Sequence, residues 1–154
     1  MNAEILRSIS FLKTLDGDEL QKLSELFTTR EVPADDKILD EGKPVHQFYL
    51  VCHGTVHARR TSQQREVLLG RIPPGGFFGE INLFDPGVAT ASIYAIDKVT
   101  VAVVEYDALR RFMENNPAIG YKIVSGLMAG MARRLRTTNE RFANTFYWSS
   151  VAAQ

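Results

Sequence analysis

A single cysteine, Cys52, stands in a chain of 154 residues. One thiol cannot close an internal disulfide, and it excludes a cysteine-built zinc or iron–sulfur centre. Net charge is missing as well: eighteen Lys and Arg balance eighteen Asp and Glu. No overall electrostatic pull therefore draws the chain to nucleic acid or to an anionic membrane. No apolar run reaches membrane-spanning length, and Met1-Asn2-Ala3-Glu4-Ile5-Leu6-Arg7 lacks the uninterrupted apolar stretch of a secretory signal. A cytoplasmic protein is the expectation. Repeats and low-complexity segments are absent. So are Gly-x-Ser-x-Gly, His-Glu-x-x-His and a phosphate loop ending in Gly-Lys-Ser/Thr. A non-enzymatic protein is expected.

What is present suits one domain with a helical arm, because 45% apolar residues are enough to bury a core. Residues 3–30 read as helical. Asp16 or Asp18 can cap a helix in which Leu20, Leu23, Leu26 and Phe27 recur at helical spacing. From residue 31 the period shortens. Val32–Asp36 reads as a turn, and Lys37–Asp40, His46–Cys52, Thr55–Arg59, Glu66–Ile72, Ala91–Ile96 and Thr100–Glu105 read as strands. Short strands at near-regular spacing predict an antiparallel sandwich or barrel. From Asp107, a candidate cap, helix returns, pauses at Asn115-Asn116-Pro117 and runs from Ala118 to about Phe146. Val124, Met128, Met131, Leu135, Thr138 and Phe142 alternate four and three apart, a seam that can pack on the domain or pair with a second copy. Pairing is the expectation. Arg133, Arg134, Arg136 and Arg141 read as a solvated face opposite the seam.

The densest glycine stretch is Pro74-Gly75-Gly76-Phe77-Phe78-Gly79-Glu80-Ile81-Asn82-Leu83-Phe84, running on to Ala95. Its glycines allow positive φ and close approach, and a helix starting after Gly79 would aim N–H groups at the same point. Such a stretch suits a small anion. Phe77 and Phe78 read as core, Gly42 and Gly54 as turn residues, and Cys52 as a buried small hydrophobe. His46, His53 and His57 invite comparison with a metal set. Gly54 interrupts their strand and no supporting carboxylate is spaced with them, so they read as surface or edge residues.

The ordered set is distinctive: Phe11-Leu12, Leu15, Glu19-Leu20 and Leu23; then Ile38, Glu41-Gly42, Phe48–Val51 and Gly54-Thr55-Val56; then Gly75, Phe78-Gly79-Glu80 and Leu83. Over residues 8–142 it resembles the cyclic nucleotide-binding domain family. The resemblance implies a mainly β fold with flanking helices, an antiparallel, jelly-roll-like β-roll of about eight strands. Residues 1–30 would be N-terminal helices of the same domain. Residues 31–106 would form the roll with its cassette at 74–95, and 107–154 the C-terminal helices. It also implies a ligand site at Gly79, Glu80, Ile81, Ala89, Thr90, Ala91 and Ser92. There Glu80 would accept from a ribose hydroxyl, and Tyr147 or Trp148 could lie over a base. A cyclic nucleotide is the implied ligand, and a homodimer through the last helix the implied partner.

The family's cassette arginine would fall at Ala89, or at Thr90 with a one-residue shift. Neither is basic, and no Lys or Arg lies between Arg71 and Lys98. Losing a bidentate Arg–phosphate contact weakens binding by at least about one to two orders of magnitude. A regulatory sensor domain is the leading expectation. A binding-incompetent dimerisation or docking module is the first alternative, and a fragment of a DNA-binding regulator the second. Direct DNA binding is not expected of this chain, because too few residues follow Phe142 for a helix-turn-helix.

Overall fold

The computed structural model describes Met1 and residues 3–151, with the backbone alone for Phe146 and for 148–151. The expectation placed on the Trp148 side chain lies outside the described residues. The chain opens with α1 (Ala3–Arg7), a 3-10 turn (Ser10–Leu12) and α2 (Gly17–Ser24). Asp16, not Asp18, caps α2. Its carboxylate accepts from the Glu19 N–H, and the Glu19 carboxylate accepts from the Asp16 N–H, each at 2.9 Å. This reciprocal box satisfies two N–H groups that helix geometry leaves over.

Eight antiparallel strands follow: β1 (Thr28–Val32), β2 (Lys37–Leu39), β3 (Gln47–His53), β4 (Val56–Ser62), β5 (Arg65–Ile72), β6 (Phe77–Phe78), β7 (Ser92–Ala95) and β8 (Val99–Glu105). They form two four-stranded sheets, ordered β1-β8-β3-β6 and β2-β7-β4-β5. This is the expected β-roll. The strand-by-strand sequence reading leaves out β1 and β6, and several strand ends shift by one to three residues. Thr28–Arg30 are strand rather than helix, paired from Thr28↔Val103 to Val32↔Val99. Only Val32 of β1 is buried, so the strand has no apolar alternation and owes its form to the β8 ladder. Val32 likewise belongs to that strand and not to the following turn.

β3 and β8 are covered on both faces. Phe48, Leu50, Ala102 and Val104 face the helices, while Tyr49, Val51, Val101 and Val103 face the roll interior. The short β6 divides in the same way. Phe77 packs edge-on to Phe11 at 5.1 Å on the helical side, and Phe78 stacks on Tyr49 at 4.7 Å inside the roll. Both phenylalanines are core, as their sequence context suggests. Cys52 is only half-buried, against the helical core. It caps the end of a strand rather than filling an interior. Gly42 and Gly54 hold φ near +79° and +76° at turns.

Two helices complete the chain, α4 (Tyr106–Asn115) and α5 (Pro117–Val151). Asp107 does not cap α4. Glu105 holds the cap position with no side-chain hydrogen bond, and Asp107 lies in the first turn, 3.6 Å from Arg110. Its charge still favours the positive end of the helix. Pro117 opens α5, where its missing N–H costs nothing. Ile119, Ile123 and Leu127 bury one face of α5 in the helical core. Gly126 and Gly130 let the helix come close: a Cβ at Gly126 would stand 2.1 Å from the Phe11 carbonyl oxygen, and one at Gly130 2.8 Å from the Phe77 ring. The Lys122 ammonium ties α5 to α2 through both Glu19 oxygens at 2.7 Å. The heptad seam faces mostly outward, with Val124, Met128, Leu135 and Phe142 exposed and Met131 half-buried. Among the described residues no helix is long and apolar enough to cross a membrane.

Candidate functional site

The glycine-rich stretch forms one wall of a cleft of about 580 Å³, with β5 and β7 beside it and α5 opposite. β6 leads into Gly79, which is glycine for two reasons. Its φ is +80°, and a Cβ there would stand 2.7 Å from the Gln47 carbonyl oxygen. The Tyr106 hydroxyl donates to the Gly79 carbonyl. Burial, then the neighbouring Glu80 charge and Tyr49, push the Tyr106 phenol well above its usual range, so it remains a donor.

α3 (Glu80–Phe84) has five residues, hardly more than one turn. It offers a few N–H groups rather than a full macrodipole. Its position is held by neighbours. Asn82 Nδ2 donates to the Val88 carbonyl at 3.1 Å, and Arg110 donates to the Leu83 carbonyl. The far end of the cassette is pinned at Ala89, whose N–H donates to the Lys43 carbonyl at 2.8 Å and whose carbonyl accepts from Gly42 at 2.9 Å.

Of the residues singled out in the sequence, Gly79, Glu80, Ile81, Ala89, Thr90 and Ala91 all line the cleft. Ala89 is 5% exposed and its methyl packs in the helical core, whereas Thr90 is exposed. Ser92 is not among the lining residues. Its hydroxyl accepts from the Glu41 N–H at 3.0 Å, which fixes the β2–β3 turn. Tyr147 is exposed and is not among the lining residues either.

The arginines of α5 depart from the sequence reading. Arg134 is half-buried, not solvated. Its Nη1 donates to Glu80 Oε1 at 2.7 Å, its Nη2 donates to the Phe77 carbonyl, and its guanidinium lies 4.4 Å from the Phe77 ring centre. Glu80 is 5% exposed, so this pair neutralises a buried carboxylate. Arg141 Nη1 donates to the Leu69 carbonyl of β5 at 2.8 Å. Arg133 also lines the cleft, and only Arg136 of the four fits a purely solvated face. A signal for this was present: Gly126, Gly130, Arg134 and Arg141 share one helical stripe, small residues first and cations after. Charge clustering alone concealed it.

No group of three His, Cys, Asp or Glu among the described residues could hold a metal ion. Burial, with Arg71 and Arg59 nearby, lowers the His57 pKa and keeps the ring neutral; its Nε2 is buried without a hydrogen-bond partner. Burial also raises the Cys52 thiol pKa, which keeps it protonated and unreactive.

Fold and cleft define the class: a two-sheet β-roll with a helical cassette facing a long C-terminal helix. The family follows from comparison with known proteins. The family model for the cyclic nucleotide-binding domain matches residues 29–116, and the chain belongs to that family. It is 30% identical over 145 residues to the CRP-like cAMP-activated global transcriptional regulator of Mycobacterium tuberculosis, covering 94% of this chain and 63% of the relative. The chain thus spans less than two thirds of that regulator's length. The N-terminal domain of a transcriptional regulator from Streptomyces coelicolor A3(2) is 29% identical with a TM-score of 0.72, covering 90% of this chain and 94% of that one. A cyclic nucleotide-binding domain from Methylobacillus flagellatus KT shares the fold, with a TM-score of 0.86 at 24% identity, over 92% of this chain and 82% of that one.

Proposed function

We propose that this domain is a non-enzymatic regulatory sensor, in which a cyclic nucleotide or another small anion occupies the cleft and is signalled through α5. The observation that carries this reading is the Glu80–Arg134 ion pair at 2.7 Å. It joins the cassette carboxylate directly to the C-terminal helix. A ligand hydroxyl that bonds to Glu80 competes with Arg134 for the same oxygen. Occupancy of the cleft then loosens or repositions the distal part of α5, and the change passes to a partner. Isothermal titration calorimetry with cyclic AMP and cyclic GMP tests the binding step. Heat accompanied by altered amide exchange over 131–145 is the expected result. No heat at millimolar nucleotide would remove the reading for those two ligands.

A second reading has its own support. Ala89 and Thr90 supply no cation, Glu80 is already paired, and the outward seam of α5 exposes Met128 by 64% and Leu135 by 61%. These features suit a dimerisation or docking module with a degenerate pocket. Pairing of two copies along α5 is compatible with either reading. The similarity to a transcriptional regulator favours a third setting, in which the domain serves as the sensing part of a longer DNA-binding protein. A mobility shift of duplex DNA by this chain alone would overturn the expectation that it does not contact DNA itself.

A further inference from the structure

The charge of the cleft does not match a ligand with one negative charge. Its lining carries four guanidiniums, from Arg71, Arg133, Arg134 and Arg141, against one carboxylate, Glu80. Arg134 and Glu80 neutralise each other. Three arginines remain with no carboxylate of the cleft to meet them. Arg141 is held by the Leu69 carbonyl, a neutral acceptor that leaves its charge uncompensated. The guanidiniums of Arg71 and Arg133 have no hydrogen-bond or ion-pair partner among the described residues. Arg133 Nη2 lies 3.9 Å from where a Cβ on Gly130, another residue of the cleft lining, would stand.

One exposed arginine is ordinarily just solvated. Three around one concave site are different: they come from two separate elements, they repel one another, and they focus positive potential into the cleft. Guanidinium is the cation best matched to phosphate oxygens, which it can engage with two parallel hydrogen bonds. The cleft's volume of about 580 Å³ suits a nucleotide-sized molecule. The cassette itself offers no cation, so recognition of the anion falls to β5 and α5.

We infer that the cleft takes a nucleotide carrying two or more negative charges in preference to a cyclic mononucleotide, with Arg71, Arg133 and Arg141 as its phosphate contacts. This rests on reading the cleft as an anion-binding site. It assigns the contacts that the cassette lacks, and it makes α5 part of the binding surface rather than only its readout.

The test is calorimetry on the full chain with three adenine nucleotides, cyclic AMP, 5′-AMP and ADP, at low and high salt. The expected result is that 5′-AMP and ADP bind about tenfold or more tightly than cyclic AMP, an advantage that shrinks as salt rises. The double variant Arg133→Ala/Arg141→Ala should lose that advantage, while Arg136→Ala, outside the cleft, should keep it. Thermal unfolding checks that the variants fold. If the double variant does not, Arg71→Ala on exposed β5 supplies the same readout. Cyclic AMP binding as tightly as ADP would overturn the inference and leave the sensor reading standing. A preference for ADP that survives both Arg133→Ala/Arg141→Ala and Arg71→Ala would overturn it too. No heat from any of the three nucleotides would remove the anion-binding reading and this inference together.

Discussion

The two halves of α5 are attached to the molecule by different chemistry. Before residue 131 one face of the helix is buried: Ile119, Ile123 and Leu127 are at most 7% exposed, and Gly126 and Gly130 bring the backbone against Phe11 and Phe77. After it, Arg134 and Arg141 bond back to the β-roll, and the residues around them are exposed. Apolar packing is lost only by moving away as a body, whereas a hydrogen-bonded charge can exchange partners in place. The first half therefore acts as a fixed mount. The second half is held by Arg134 and Arg141 contacts that can exchange partners.

The largest expected effect tests the mount. Leu127→Ala removes a fully buried side chain and should cost about 2–5 kcal/mol in urea unfolding. Leu135→Ala, eight residues on and 61% exposed, should stay within about 0.5 kcal/mol. Equal costs would break the distinction between the two halves.

The next effect tests the polar tie. Arg134→Ala leaves the Glu80 carboxylate buried without its cation. The Arg134 side chain is itself 40% exposed, so water can partly take its place, and the cost should be about 1–3 kcal/mol rather than that of a fully buried pair. Adding Glu80→Gln should recover part of the loss, because the orphaned charge is then gone. Amide exchange should quicken over 131–145 while 117–130 remains protected. Uniform loss of protection along α5 would mean that the helix responds as one unit.

A smaller effect comes from pH. The Lys122 ammonium, with the Asp16 N–H, holds the Glu19 carboxyl below its ordinary range. A carboxyl whose folded pKa is depressed adds stability above its unfolded value, and loses it as pH falls through the folded one. Lys122→Met should therefore lower the melting temperature at neutral pH, and the gap from wild type should close as pH falls below about 4. A gap that persists unchanged in acid would place the Lys122 contribution in packing rather than charge.

Much of this architecture is legible in the sequence because its signals are local. Asp16 and Glu19 stand at capping-box spacing, and the turn glycines sit where the backbone needs positive φ. The run Phe48-Tyr49-Leu50-Val51 is continuous because β3 is covered on both faces. β1 is not legible, since its form comes from pairing with a distant strand. Nor is the site's cation. Arg134 meets Glu80 across 54 residues of chain, where the docking of α5, with Gly126 and Gly130 close against Phe11 and Phe77, brings them together. A cassette read along the chain has no cation, but the folded cleft draws its arginines from β5 and α5.

The smallest effect on monomer stability concerns the outward face of α5. Tyr121, Val124, Met128 and Leu135 follow a seven-residue repeat and are all exposed, so no intramolecular packing energy depends strongly on them. Replacing Met128 and Leu135 together by Glu should change unfolding of dilute protein by no more than about 0.5 kcal/mol per site. If two copies pair along this seam, the same change buries like charges against each other and should shift sedimentation from dimer to monomer. A dimer that survives Met128→Glu/Leu135→Glu would place its interface elsewhere. A monomeric wild type would leave the seam for a different protein. Either result bears on the proposed signalling, because the seam and the cleft arginines lie on adjoining faces of the same helical segment: Arg134 and Arg141 stand next to Leu135 and Phe142, about 100° round the helix. Under the proposed sensor function, a partner that grips the seam would set the pose of Arg134 and Arg141 and so link ligand and partner through α5.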